Sequence, residues 1–162
     1  MSSENEFEQG DSGALNTELA DAGRMKPGSL VMMKEGAFPC RVTGFSTAKP
    51  GKHGSAKAMI TAKDIFTEKQ YEETFGTGDM IPRPIVVKTE YTCMCYDDDG
   101  ALSLLDVNGE TKDDVSFPTA AHLSDLAPKI KLLVDEGEKD CLVTVQRWGD
   151  KEQLISCREA LN

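Results

Sequence analysis

Side chains that ligate metals or carry out catalysis are scarce in this chain of 162 residues. Only two histidines are present, His53 and His122, and neither has a partner in the sequence that indicates a nucleophile–base pair. The cysteines are odd in number and have no CxxC spacing; they are Cys40, Cys93, Cys95, Cys141 and Cys157. A structural zinc site is therefore disfavoured, and we expect a protein that is not an enzyme and needs no metal or cofactor.

Long apolar runs are also missing. No stretch approaches the roughly 20 residues that span a bilayer, and the acidic N-terminus lacks the apolar core of a signal peptide. Cysteines without an evident pairing scheme are typical of a reducing compartment, where most of them act as small core hydrophobes. We therefore expect a cytoplasmic protein without membrane insertion, and we leave open whether a nuclear pool exists.

Aromatic residues make up only 6% of the chain, and Trp148 is the one tryptophan. Two small β modules fit this composition better than one large core does. The strongest interruption of the pattern combines Gly76 and Gly78 with Pro82 and Pro84. Such residues end strands or lie at sheet edges, so we expect domains at residues 24–86 and 87–162.

Charge is unevenly distributed, although the whole chain carries −10. Residues 1–23 contain six acids and no Lys or Arg, residues 24–88 have a net charge of +5, and residues 89–162 have −9. A positive middle segment can face phosphates while the acidic parts face away from them. The charge pattern therefore supports two domains with separate roles.

Residues 1–23 are polar and acidic, and we expect them to form a disordered tail. The next segment, residues 24–86, contains short apolar or alternating runs that predict about five strands and an SH3-like barrel. These runs are Leu30–Met33, Cys40–Phe45, Ala58–Ala62, Asp64–Thr67 and Tyr71–Phe75. The expected fold class is mainly β.

The second domain, residues 87–162, has the strand and helix order of an OB-fold: three strands, one helix and two strands. Helical spacing is found between Ser124 and Asp135, with a helix that begins as late as Ala127, and Gly137 follows as the residue that ends it. The acidic run Asp97–Asp99 lacks the ligand spacing of an EF-hand, so a solvated hairpin turn is the preferred interpretation.

The most informative stretch is Ser46–Lys57, a predicted hairpin tip with Lys52 at its centre. Gly51 and Gly54 permit backbone conformations that a Cβ would forbid, and no carboxylate occurs between Arg41 and Ala62. The spacing does not match a phosphate-binding P-loop. A cationic loop on a β scaffold is suited to a polyanion or to the active site of another protein.

This stretch resembles the modification loop of the eukaryotic translation initiation factor 5A family, which is related to elongation factor P. The residues that match are Ser46, Thr47, Lys49, Gly51, Lys52, His53, Gly54, Ala56 and Lys57, followed by Asp64–Thr67, Lys69, Tyr71–Glu72 and Leu102–Leu105. The resemblance extends from about Arg24 to the C-terminus. Two positions depart from the family pattern: Ser55 replaces a usual histidine, and Pro50 replaces a common threonine.

The resemblance implies that Lys52 is a substrate for modification. Deoxyhypusine synthase would transfer the aminobutyl group of spermidine to it, and deoxyhypusine hydroxylase would add a hydroxyl, giving hypusine. Residues implied in recognition by these enzymes are Lys49, Gly51, His53, Gly54 and Lys57. Whether Ser55 alters that recognition is left open.

The implied function is that of a translation elongation factor. It would bind the ribosome, contacting rRNA and peptidyl-tRNA, promote peptide-bond formation at stalled sites such as proline runs, and assist termination. The implied RNA-contacting residues are Arg41, Lys49, Lys52 and Lys57. Arg41, Lys49 and Lys57 would contact phosphates, and such contacts set the position of the protein on the RNA without carrying sequence information. A general RNA-binding or RNA-chaperone protein remains the alternative; it predicts steeply salt-dependent binding that is indifferent to modification of Lys52.

Overall fold

The computed structural model describes residues 16–49, 54 and 56–161. The chain divides into two compact units, the first ending at Ile85 and the second beginning at Val86. This division lies one residue before the boundary expected from the sequence. Residues 1–15 of the expected acidic tail lie outside the described part of the chain, in which no helix is long and apolar enough to cross a membrane.

Six described strands, all paired antiparallel, build the first unit. They are β1 (Thr17–Asp21), β2 (Leu30–Met33), β3 (Phe38–Ala48), β4 (Lys57–Asp64), β5 (Gln70–Gly76) and β6 (Met80–Pro84). Strands β2, β3, β4 and β5 follow one another in one sheet, while β1 pairs with β6. Alternation explains the burial on β4, because Ala58, Ile60 and Ala62 are buried between exposed or half-exposed neighbours.

The edges of the four-stranded sheet meet at the turn that follows β2. The Lys34 N–H donates to the Glu73 carboxylate at 2.7 Å, and the Lys34 ammonium donates to the Glu72 carbonyl at 3.3 Å. Lys34 and Glu35 both have positive φ, so these bonds hold a turn that side-chain-bearing residues rarely adopt. The contacts link β2 to β5, as expected for a small barrel.

Strand β1 corrects one expectation. Residues 17–21 were assigned to the disordered tail, but they pair with β6 from Thr17–Pro84 to Asp21–Met80. Ala20 lies opposite Ile81 at the core, and Ala22 immediately after the strand is fully buried. The ordered domain therefore begins before residue 24, because a partner about sixty residues away supplies hydrogen bonds that local composition does not reveal.

The turn between β4 and β5 is organised by a buried carboxylate. Asp64 is only 5% exposed, and its Oδ1 accepts the N–H groups of Phe66 at 2.7 Å and Thr67 at 3.1 Å. The Asp64 N–H donates in turn to the Lys69 carbonyl at 2.8 Å. A polar residue is tolerated here because its hydrogen bonds are made within the turn.

The second unit has the expected OB-fold. Its elements are β7 (Val87–Tyr96), β8 (Ala101–Leu105), β9 (Thr111–Ser116), α1 (Leu126–Glu136), β10 (Cys141–Trp148) and β11 (Lys151–Glu159). The sheet order is β11-β10-β7-β8-β9, with every pair antiparallel. Together, the two units confirm the predicted fold class.

Helix α1 begins one residue earlier than the latest predicted start and ends where predicted. Gly137 adopts a left-handed conformation, φ 67°, and its N–H donates to the Leu133 carbonyl at 3.2 Å. Ile130 packs in the core of the unit. On the outer side, the Tyr96 hydroxyl donates to the Asp135 carboxylate at 2.9 Å, which raises the pKa of Tyr96 above its ordinary value and joins α1 to β7.

Four of the five cysteines are buried, and Cys95 is exposed. Burial raises the pKa of Cys40 to about 12, with added contributions from Asp64 and Glu73. Burial likewise raises the pKa of Cys93 to about 11 and that of Cys141 to about 12. Such thiols stay neutral and pack as small apolar side chains.

Candidate functional site: the loop between β3 and β4

The lysine-bearing loop is carried by the longest antiparallel pair of the first unit. The β3–β4 pairing runs from Cys40–Asp64 to Ala48–Lys57, where the loop begins and ends. Of the predicted site residues, Lys49, Gly54 and Lys57 are described, whereas Gly51, Lys52 and His53 lie outside the described residues. The structure therefore fixes the base of the loop.

The C-terminal end of the loop, which leads into β4, is anchored to the end of β5. The Thr77 N–H donates to the Ala56 carbonyl at 3.1 Å, and Lys57 lies opposite Gly76. The N–H of Gly76 is itself held by the Asp79 carboxylate at 2.9 Å. Strand β5 and the turn after it therefore brace the C-terminal end of the loop.

Strand β3, which leads into the loop, contains a bulge. The β3–β4 register shifts between Val42 and Gly44, so Thr43 has no direct partner on β4. A Cβ at Gly44 would lie 3.5 Å from the Thr61 side chain, an ordinary contact distance. The register shift lies next to this glycine, and bulges increase the local twist of a strand.

Three described cations were predicted to contact RNA, and the structure places them in two groups. Lys49 and Lys57 lie at the base of the loop, and both are exposed. Arg41 is also exposed but lies opposite Lys63, six residues along β4 from Lys57. At a rise of about 3.4 Å per residue, roughly 20 Å separates the two groups along the strand.

None of these three cations forms an ion pair or side-chain hydrogen bond within the described part of the chain. Two other cations of the first unit are paired: Arg24 lies 3.8 Å from Asp21, and Arg83 lies 3.3 Å from Glu18. Positive charge at the loop base is thus not neutralised by described neighbours and stays available to an external anion.

Lys63 is a cation that the sequence analysis did not single out. It shares the exposed side of β4 with Lys57, since residues 57 and 63 are separated by an even number of positions. The alternating burial of β4 is visible in the sequence, but its pairing with Arg41 depends on the cross-strand register. In the described part of the chain, no group of three or more His, Cys, Asp or Glu side chains is arranged to hold a metal ion.

A β-barrel unit that presents a cationic hairpin loop, followed by an OB-fold unit, defines a class of two-domain β proteins. Two family models match the chain in this order. "Translation initiation factor 5A-like, N-terminal" matches residues 16–79, and "Eukaryotic elongation factor 5A hypusine, DNA-binding OB fold" matches residues 85–158. The match to the first model includes β1, which agrees with the corrected start of the ordered domain.

Curated relatives support the same assignment over almost the full chain. Eukaryotic translation initiation factor 5A of Dictyostelium discoideum is 37% identical over 157 residues, covering 97% of this chain and 94% of the relative. Factor 5A-1 of Saccharomyces cerevisiae is 36% identical, with 97% and 95% covered. The chain belongs to the translation initiation factor 5A family, which is named for a translation factor and not for an enzyme.

Solved structures agree with this assignment. A translation initiation factor 5A family protein from Naegleria fowleri superposes with a TM-score of 0.79 at 35% identity, covering 88% of this chain and 99% of its own. The factor from Methanococcus jannaschii gives a TM-score of 0.65 at 22% identity, with 88% and 96% covered. The second comparison supports the fold alone.

Proposed function

We propose that this protein is a translation elongation factor that binds the ribosome beside the peptidyl-tRNA and acts through a hypusine formed at Lys52. The proposal rests on the loop itself: family membership, the residues around Lys52, and a hairpin formed by β3 and β4 whose C-terminal end is braced by β5 and the turn after it. The alternative of a general RNA-binding protein explains the positive charge but gives Lys52 no special role.

Modification requires Lys52 to enter the active site of another enzyme. Its deprotonated amine is a competent nucleophile, to which deoxyhypusine synthase transfers the aminobutyl group of spermidine. The bond from that group to the secondary nitrogen of spermidine breaks, 1,3-diaminopropane leaves, and deoxyhypusine hydroxylase then adds a hydroxyl. Lys49, Gly51, His53, Gly54 and Lys57 form the recognition segment. The side chains of Lys49 and Lys57 are exposed and form no ion pair with any described residue, so the described ends of that segment are open to an enzyme.

On the ribosome the modified side chain acts by orientation. A longer arm carrying a second amine reaches the acceptor end of the peptidyl-tRNA and limits its unproductive motion, while the ribosome supplies the chemistry. Lys49, Lys57 and Arg41 bind phosphates of the surrounding RNA and set the position of the domain. The modified lysine assists most where peptide-bond formation stalls at proline runs and during termination.

The acidic second unit has a different task in this proposal. Its net charge of −8 over residues 86–162 and the lack of a basic aromatic groove in its sequence make broad phosphate neutralisation unfavourable. We assign it contacts with ribosomal proteins, recognition of tRNA shape, or spacing of the first unit. The proposed location is the cytoplasm, where ribosomes work.

The test compares two lysines of the same loop. Mass spectrometry of protein from its native cell should show a Lys52 peptide heavier by an aminobutyl and a hydroxyl group. In a ribosomal assay of proline-run synthesis, Lys52→Arg should abolish stimulation, because arginine keeps the charge but cannot be converted to hypusine. Lys49→Arg is the matched control and should retain most activity.

Equal losses for the two variants would mean that charge alone matters, and an unmodified Lys52 peptide from native cells would count heavily against the proposal. Modified and unmodified protein should also be compared for binding to free RNA. Identical behaviour of the two forms in both assays would favour the general RNA-binding alternative.

A further inference from the structure

One side of the four-stranded sheet presents a row of short side chains between two cationic ends. We call this side the outer face and define it by residues that alternate away from the core. They are Arg41, Gly44, Ser46 and Ala48 on β3, Lys57, Met59, Thr61 and Lys63 on β4, and Gln70, Glu72 and Thr74 on β5.

The two cationic ends are set by strand register. Arg41 and Lys63 are direct cross-strand partners, and Ala48 and Lys57 are partners at the loop base. Like charges placed directly opposite one another repel, so the Arg41–Lys63 pair is unfavourable for the isolated fold. Neither side chain has an anionic partner among the described residues, which indicates an external anion as the compensating group.

Negative charge is confined to one half of the outer face. A shallow groove of about 300 Å³ between β4 and β5 is lined by Glu72, Met59, Thr61 and Thr74 of the outer face and by Ile60 and Glu73. The Glu73 carboxylate accepts the Lys34 N–H and is not part of the outer face, so Glu72 is the carboxylate of this half. The β3 half carries no carboxylate, and its small residues Gly44, Ser46 and Ala48 project only a short distance from the sheet. An anionic polymer is therefore repelled from the β5 side and accommodated on the β3 side.

The β3 half is also open at its edge. Strand β2 pairs with residues 38–41 of β3, and Val42 exchanges backbone hydrogen bonds with Gly28 and Ser29. Among the described residues, no strand pairs with residues 43–48 of β3 on that side. A chain of nucleotides lying along this half meets the unneutralised cations at both ends and no carboxylate in between. Roughly 20 Å of strand covers several successive phosphates.

We infer that Lys63 and Arg41 together form a second phosphate contact, and that the backbone of the bound RNA runs along the β3 half of the outer face between this pair and the loop base. The inference rests on the proposed function, because it extends the RNA contact of the lysine loop onto the side of the barrel. Lys63 is thus a positioning residue: it holds the RNA backbone and takes no part in modification of Lys52.

The experiment measures affinity of the full chain for a tRNA acceptor-arm minihelix with a single-stranded 3′ end, as a function of salt. Lys63→Gln should weaken binding about three- to ten-fold at low salt and lower the salt slope by about one, as loss of one phosphate contact requires. Lys63→Arg should restore both values. Lys69→Gln is the matched control, since that ammonium lies 5.6 Å from the Tyr71 ring of the same unit.

The inference is overturned if Lys63→Gln and Lys69→Gln give the same affinity and salt slope, or if the wild-type chain shows no salt-dependent binding to this RNA. A failed hypusine mechanism would give a different result. It would make the Lys52→Arg variant active in proline-run synthesis while leaving the Lys63 effect on RNA binding in place.

Discussion

At the scale of single residues, Asp64 illustrates how a charged side chain is accommodated in a core. Its carboxylate lies at the end of β4 and replaces the backbone partners that the Phe66 and Thr67 N–H groups lose in the turn. The Ile65 N–H is satisfied separately by the Pro39 carbonyl at 2.9 Å. Both side-chain bonds of the turn end at Oδ1, and backbone bonds of Asp64 with Glu68 and Lys69 complete it.

Asp64→Ala should destabilise the first unit by about 1–3 kcal/mol, because two N–H donors next to the core lose their acceptor. Asp64→Asn keeps an oxygen in the same place and should cost clearly less. Urea unfolding followed by circular dichroism measures both values. Equal destabilisation by the two variants would show that the charge, and not the acceptor geometry, holds the turn.

The sequence was informative about site residues where local spacing decides their position. Lys49 and Lys57 lie at the loop base because apolar strands flank a segment with Pro and Gly. The pairing of Arg41 with Lys63 was not predictable, since the bulge at Thr43 shifts the register and a one-residue slip would move every later side chain to the other face.

At the scale of elements, helix α1 could be predicted from its own sequence, whereas strand β1 could not. Helix α1 has an apolar stripe of period 3.6 and a glycine stop, both of which are local signals. Strand β1 has five residues in an acidic context, and its partner β6 carries Pro82 and Pro84, which argue against a strand. Both strands form because each strand of a two-stranded sheet is an edge strand, and an edge strand tolerates the missing N–H of a proline.

Gly137→Ala should destabilise the second unit by about 1 kcal/mol, because alanine is strained at φ 67°. The nearest atom to an added Cβ is the Val134 carbonyl at 3.9 Å, so crowding is not the cause of the loss. Gly137→Asn is the control, since asparagine tolerates the left-handed region, and it should lose less. Equal losses in urea unfolding would point to a packing role for Gly137.

At the scale of the whole molecule, buried thiols in both units link stability to alkaline pH. The ordinary pKa of a cysteine is near 9, and burial raises it to about 12 for Cys40 and Cys141 and to about 11 for Cys93. The unfolded chain therefore releases these protons at lower pH than the folded chain does. The stabilising contribution is complete below pH 9 and is lost as the pH rises toward 11–12.

The free energy of unfolding should accordingly fall above pH 9, by up to about 1 kcal/mol per pH unit for each buried thiol. Cys141→Ala should flatten this dependence for the second unit, even though it lowers stability at neutral pH. A slope that is the same in Cys141→Ala and wild type would show that other groups cause the alkaline loss.

The position of Trp148 at the end of β10 has a practical consequence for spectroscopy. The only indole of the chain belongs to the second unit, so the intrinsic fluorescence excited at its absorption edge originates in that unit. A change in this emission reports on the surroundings of Trp148, and the first unit contributes no indole signal of its own. The protein thus carries a built-in optical label that distinguishes its two halves.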